Sequence, residues 1–339
     1  MIEARVETSP PADWDSFVAA HPRAQIYHEA RWALLPTRLF GYRSYFLSTR
    51  DAQGALSGVL PLVHQRGGLG GFLVSLPYFN YCGTLAGDES ARAALTQRAF
   101  RLGDELRVKY VQLREEQAPA GAAIASTDKV AMRMELPGSA EELGRRLGSK
   151  LRSQARRADR EGANTRIGGR ELLGDFFSVF CSVMRDLGTP VYPRRFFDAV
   201  FEAAGDRASL VIVDLAGVPS GAGFLLSYRD GVEIPWAGTI TAAKPKSVNM
   251  KLYWDVLMHC IARGHRRFDF GRSSNDSGTF KFKQQWGAAP TQLYWQEHGV
   301  AAPRGGRGRV AELATRAWQR LPLKCANLLG PVISPGLPW

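Results

Sequence analysis

The chain has 339 residues, 45% hydrophobic and 22% charged, which is the composition of a globular protein long enough for two domains. Lys and Arg exceed Asp and Glu by 44 to 32, a net charge of +12 that points to anionic partners such as nucleic acid, nucleotide phosphates or a lipid surface. Cys82, Cys181, Cys260 and Cys325 lie far apart without C-x-x-C spacing, and this suggests neither a zinc site nor a disulfide framework. The amino end lacks a signal-peptide pattern and there is no run of about 18 apolar residues, so the expected location is the cytoplasm.

Residues 11 to 20 read as a short helix, "RSYFLST" (43 to 49) and "GVLPLVH" (58 to 64) as strands, and "VSLPY" (74 to 78) as another extended piece. A helix comes next at about 88 to 107, where Ala94, Leu95, Ala99, Leu102 and Leu106 recur at helical spacing, and "YVQLR" (110 to 114) returns as a strand. The second half repeats this order. Strands are expected at "SLVIVD" (209 to 214), "GFLLSY" (223 to 228) and "VEIPWAG" (232 to 238), with turns at Ala216-Gly217 and Asp230-Gly231. A helix over about 249 to 263 stops at Gly264, and "RFDF" comes after it as a strand.

The repetition reaches single residues. "DAQGALSG" (51 to 58) and "DLAGVPSG" (214 to 221) share Asp, Gly, Ser and Gly at identical spacings, each as a turn between two strands. "KYVQLR" (109 to 114) and "RFDFGR" (267 to 272) are both strands after a helix that close on an arginine. Two matches in the same order indicate two copies of one α/β fold, with a boundary near Pro137-Gly138. The expected division is 1–138, 139–300 and a basic, partly helical tail over 301–339.

Between the copies, "SAEELGRRLGSKLRSQARRADREG" (139 to 162) reads as an amphipathic helix, with a Ser139/Glu142 capping box and a stripe of Leu143, Leu147, Leu151, Ala155 and Ala158. Arg145, Arg152, Arg156 and Arg160 flank the stripe on one side, and Arg146, Lys150 and Arg157 on the other. A solvated face is one reading. The scarcity of compensating acids favours an anionic ligand, for which arginine forks suit phosphate.

The stretch "FDFGRSSNDSGTFKFKQQWG" (268 to 287) leaves a strand through a polar turn and ends on Lys281 and Lys283 among aromatics. Read as an extended stalk, it packs Phe280, Phe282 and Trp286 on the sheet and leaves both lysines on the other side, where they could equally protect an edge strand. Tyr192 and Trp236 suit packing as well as substrate contact, and His259 and His265 lack metal spacing. "RGGLGG" (66 to 71) lacks a Gly-Lys-Ser/Thr ending and reads as a strand connection, not a phosphate loop.

Several segments resemble the Fem-type aminoacyltransferases (FemAB family), in particular the FemAB-like proteins associated with bacterial exosortase and PEP-CTERM systems. They are "HPRAQIYHEARWALL" (21 to 35), "LSGVLPLVHQRGGLGGFLVSLPYFNYCGTLAG" (56 to 87), "SKLRSQARRADREG", "VMRDLGTPVYPRRFF" (183 to 197) and, above all, "RRFDFGRSSNDSGTFKFKQQWGAAPTQLYW" (266 to 295). The resemblance covers about 1 to 298. It implies an α/β fold of two tandem GNAT-like domains, each a mixed, mostly antiparallel sheet flanked by helices. It also implies transfer of an aminoacyl group from aminoacyl-tRNA to an amine of a nucleotide-linked precursor, here tied to the cell envelope or exopolysaccharide. The family's Phe-Lys-x-x-x-Gly motif falls on Phe282, Lys283 and Gly287, while the long charged heptad arm of some members is missing.

On this reading Lys283 is the cation that stabilises a tetrahedral oxyanion. Lys281 is a phosphate contact, and Asp269 either accepts the amine proton or holds Arg272. Tyr192, Trp236 and the Lys150, Arg152, Arg156 and Arg157 cluster complete the candidate binding residues, with no metal and no cofactor. Acyl-CoA is a disfavoured donor, because the connection "TITAAKPKSVNMK" (239 to 251) has no glycine, whereas CoA-using GNAT proteins wrap the pyrophosphate with a glycine-rich loop. A catalytically inert basic module that binds RNA or membrane is the remaining alternative. In the tail, "RGGRGR" reads as a flexible linker, and "VAELATRAWQRLPLKCANLLGPVI" (310 to 333) as amphipathic helices that dock on the protein or lie on an anionic membrane face.

Overall fold

Hairpins of alternating residues and one parallel crossover build each of two sheets. The computed structural model describes residues 2–66, 71–118, 125–299 and 309–337, so "RGGLGG" and "RGGRGR" fall largely outside the described residues. The first unit comprises Met1–Lys129, Gln292–Gly306 and Pro335–Trp339, and the second Val130–Thr291 and Arg307–Ser334.

In chain order the first unit runs β1 (Arg5–Glu7), α1 (Trp14–Ala20), α2 (Ala30–Phe40), β2 (Arg43–Arg50), β3 (Leu56–Gln65), β4 (Phe72–Val74), β5 (Leu85–Ala86), α3 (Glu89–Glu105), β6 (Tyr110–Glu115) and β7 (Ala125–Ser126). The second runs β8 (Lys129–Glu135), α4 (Ala140–Arg160), β9 (Ala163–Gly168), α5 (Leu173–Leu187), α6 (Arg194–Ala204), β10 (Ala208–Leu215), β11 (Val218–Tyr228), β12 (Gly231–Thr239), α7 (Val248–Ala262), β13 (Arg267–Ser274), α8 (Gly278–Gln284) and β14 (Ala289–Gln292). Then β15 (Tyr294–Gly299) returns to the first unit, and α9 (Arg309–Gln319) and α10 (Leu323–Ile333) lie in the second.

The sheet orders are β1-β2-β3-β4-β6-β15-β7, with β5 beside β3, and β14-β8-β13-β12-β11-β10-β9. Strand by strand the units correspond. An edge strand pairs antiparallel with a hairpin strand in both (β1 with β2, β9 with β10), and the hairpin continues to β4 or β12. After helix α3 or α7, the chain then re-enters parallel as β6 or β13. The turn repeat has a packing basis. A Cβ on Gly58 would come within 2.9 Å of Leu95 of α3, and one on Gly221 within 2.9 Å of Val248 of α7, so each glycine lets a helix approach its sheet closely. Each unit buries its own core: Leu47, Leu60, Leu62, Leu95 and Leu113 in the first, and Val211, Leu225, Ile234, Leu252, Val256 and Phe268 in the second.

The mixed, mostly antiparallel α/β fold in two copies is thus as expected, and several local features differ. The units divide at Lys129/Val130 rather than near Pro137-Gly138, because β8 joins the second sheet, and β15 joins the first from beyond the second copy. Of "VSLPY" only Val74 is in a strand; the residues after it form a loop in which Tyr78 (φ 75°) and Cys82 (φ 131°) hold positive φ. The helix read over 139–162 is capped by Ser139, whose Oγ accepts the Glu142 N–H at 3.2 Å, but it breaks at Gly148 (φ 74°, ψ 176°). Lys281 and Lys283 are on a short helix, not an extended stalk.

Candidate active site

The second sheet opens where β12 and β13 part. Their parallel pairing covers Gly231↔Arg267, Val232↔Phe268 and Glu233↔Asp269 and stops there, although β12 continues to Thr239 and β13 to Ser274. Beyond Glu233 this edge of β12 has no further pairing with β13. Gaps beyond the carboxyl ends of parallel strands are where open α/β sheets take ligands.

β13 changes character at the same point. Phe268 and Phe270 are buried with ring centroids 4.8 Å apart, and Asp269 points to the other face. Its Oδ2 accepts from Arg133 Nε of β8 at 2.7 Å and its Oδ1 from the Gly271 N–H at 2.7 Å. Gly271 has φ 72°. In a regular strand successive carbonyls point to opposite edges; the bend at Gly271 turns two of them together, and Lys283 Nζ donates to Gly271 O at 3.1 Å and to Arg272 O at 2.8 Å.

Lys283 reaches them because "GTFKFKQ" is helical. Ser277 Oγ accepts the Phe280 N–H at 3.1 Å, which caps α8. At about 100° per residue, Lys281 and Lys283 point in widely different directions, so Lys281 is exposed and Lys283 is 8% exposed. Phe282 packs edge-on against Tyr253 of α7 at 5.1 Å, and Gly287 (φ 86°) reverses the chain after the helix. Phe282, Lys283 and Gly287 therefore each have a structural job. Burial pushes the Lys283 amine down to about 8; Asp269 and Glu233 nearby oppose this and Arg272 adds to it. An ammonium has three N–H donors, and two are bound to carbonyls.

Asp269, Arg272 and Lys283 are thus brought near one another where β12 and β13 part, while Phe282 packs against α7. Tyr192 and Trp236 are buried in an aromatic layer instead: Trp236 lies 5.6 Å from Phe196, 5.2 Å from Phe197 and 5.4 Å from Phe224, and Tyr192 lies 5.2 Å from Phe196. Arg152 is tied up in the fold, since its guanidinium donates to Gly144 O at 2.8 Å across the break at Gly148. Arg157 faces Glu161 at 4.0 Å and Arg146 pairs with Glu142, whereas Arg145, Lys150, Arg156 and Arg160 are exposed.

No local pattern pointed to Arg133, to Glu233, or to two buried hydroxyls without hydrogen-bond partners at the carboxyl ends of the parted strands, Thr239 Oγ1 and Ser273 Oγ. Toward the other end of β11 and β12, a cleft of about 240 Å³ lined by Arg207, His259, Arg263 and His265 contains none of the candidate residues. Among the described residues no His, Cys, Asp or Glu cluster could hold a metal.

Residues 145–284 match the family model described as Acetyltransferase (GNAT) domain, and the protein is an acyltransferase of tandem GNAT fold. Among solved structures, FemX aligns over 92% of this chain and 100% of its own with TM-score 0.61 and 12% identity. The C-terminal domain of a putative lysylphosphatidylglycerol synthetase from Agrobacterium fabrum aligns over 90% and 93% (TM-score 0.56, 11% identity). A tandem GNAT protein from the clavulanic acid biosynthesis pathway aligns over 88% and 99% (TM-score 0.56, 11% identity). At these identities the likeness is one of fold. No curated protein sequence matches the chain.

Proposed function

We propose that the second unit is a Fem-like aminoacyltransferase, which moves an aminoacyl group from aminoacyl-tRNA to an amine of a nucleotide-linked cell-envelope or exopolysaccharide precursor and needs no cofactor. The connection between β12 and α7 carries this reading. A pyrophosphate cradle needs free amides at that place. Here the Ala243, Ser247, Met250 and Lys251 N–H groups already donate to the carbonyls of Ile240, Lys244 and Ser247, and Pro245 has no N–H. Lys246 is held by Glu161, and Lys244 is exposed. A large polyanion has no need of such a cradle and uses dispersed cations, which Arg145, Lys150, Arg156 and Arg160 offer together with Lys281.

In this reading the acyl ester carbonyl lies where β12 and β13 part, beside Lys283. The acceptor amine attacks the carbonyl carbon, the tetrahedral oxyanion takes the remaining N–H of Lys283, and the carbon–oxygen bond to the ribose breaks. The amine proton goes to the departing ribose oxygen. Asp269, with both oxygens engaged, positions the bend at Gly271 and does not act as the base.

Acyl transfer from acyl-CoA is the second reading, favoured by the acetyltransferase description of the matching family. Calorimetric titration with aminoacyl-tRNA and with acetyl-CoA, and then single-turnover transfer to an amine, separates the two. We expect strongly salt-dependent tRNA binding and little affinity for acetyl-CoA. Tight acetyl-CoA binding without tRNA binding would overturn the proposal.

A further inference from the structure

The last helix, α10, reverses the usual amphipathic arrangement. α10 docks through its small residues: Ala326 is 3% exposed, and a Cβ on Gly330 would lie 2.8 Å from Val191. The preceding turn is pinned to α5 by Arg185, which donates to Leu321 O at 3.2 Å, and α9 by Gln319, which donates to Asp186 O at 3.0 Å. The large apolar residues are left outside. Leu328 is 75% exposed, Leu329 44%, Val332 79% and Ile333 39%, and with exposed Cys325 they recur at spacings of three and four along one face.

A helix that served only to cover α5 would bury these residues and expose Ala326 and Gly330. An apolar stripe kept in water at the expense of folding stability marks an interaction surface. Exposed Arg316, Arg320 and Lys324 precede or begin the same helix, and Glu312 is the only acid between 310 and 333.

We propose that this face binds the surface of an anionic lipid membrane, with α10 lying in the interface plane. Lipid answers both features at once, with acyl chains for the stripe and acidic headgroups for the cations. A second copy of the chain would set like charges against each other. The eleven residues of α10 also offer far less than the roughly 800 Å² per partner of a stable dimer. Among the described residues no helix is long and apolar enough to cross a membrane, so the attachment is peripheral.

The test is co-sedimentation of the full-length protein with phosphatidylcholine vesicles with and without phosphatidylglycerol, at low and high salt. The variant is Leu328→Ser/Val332→Ser, whose changes are at exposed sites; circular dichroism checks its fold. Wild type should bind the phosphatidylglycerol vesicles, less so at high salt, and the variant should bind at least about tenfold more weakly. Equal binding by the folded variant would assign vesicle attachment to the basic α4 and overturn the proposal. So would failure of wild type to bind, or a dimer seen by sedimentation velocity that the variant loses. None of these outcomes depends on the acyl donor.

Discussion

Lys283→Met removes the charge of a buried amine while keeping most of its volume, and the structure sets the stability cost and the catalytic cost apart. Keeping an amine charged where its pKa is about 8 and not 10.5 costs about 3 kcal/mol at neutral pH, which the substitution returns. Against this, the carbonyls of Gly271 and Arg272 lose charge-assisted hydrogen bonds worth roughly 1.5–3 kcal/mol each. The variant should therefore fold, with a net loss of at most about 3 kcal/mol by urea denaturation at pH 7. The sign with pH comes from the lowered folded pKa. The penalty on wild type is complete below about pH 8 and disappears as pH rises toward 10.5, because the unfolded chain then holds the proton that the folded one has lost. Wild type should gain up to about 3 kcal/mol on the variant across that window. Single-turnover aminoacyl transfer, in contrast, should fall by about 10² to 10³. A folded variant with an unchanged rate would remove Lys283 from the chemistry and leave it as a clamp on β13.

Three further outcomes are expected. Asp269→Asn keeps an acceptor for the Gly271 N–H, so transfer should fall by less than about tenfold; a loss above about 10³ would make Asp269 the base. Lys150→Ala/Arg156→Ala should lower the salt slope of tRNA binding by about 2, since each phosphate contact contributes about 0.9, and an unchanged slope would make α4 a solvated face. Gly271→Ala should cost more than about 1 kcal/mol in chemical denaturation, because it forces a side chain to φ 72°, and a smaller loss would show that the bend relaxes.

The hairpins and the duplication were legible because alternation and turn chemistry are local and were repeated at the same spacings. The helix at Gly278–Gln284 was not. Its Phe-Lys-Phe-Lys run imitates a strand, seven residues are too few to establish a 3.6-residue period, and the one available signal was Ser277 as cap ahead of Phe280. The burial of Lys283 was hidden for the same reason, since its direction depends on that helix. The Arg133 partner of Asp269 lies 136 residues away, and β15 returns to the first sheet from beyond the second copy. Such contacts come from topology, on which local pattern carries no information.

The two copies also show why only one is expected to carry the site. In the first unit β4 ends at Val74, and the loop after it stays on β6, with the Ser75 N–H donating to Gln112 O at 3.0 Å. Cys82 bridges to Arg114 of β6, the counterpart of Arg272 in the repeat. Arg114 is 1% exposed; it donates to Leu76 O at 3.1 Å, to Phe79 O and to Gln112, and its guanidinium lies 4.9 Å from the centre of the Trp295 ring. An arginine that sits beside an open gap in one copy is thus a plug in the other. Arg114→Leu should remove the guanidinium donor from two buried carbonyls and leave its site to a smaller apolar side chain, at a cost of about 3 kcal/mol or more. Urea denaturation should show that loss, while transfer per folded molecule stays unchanged. A variant as stable as wild type, or one folded but slow in transfer, would refute the assignment of Arg114 to structure alone.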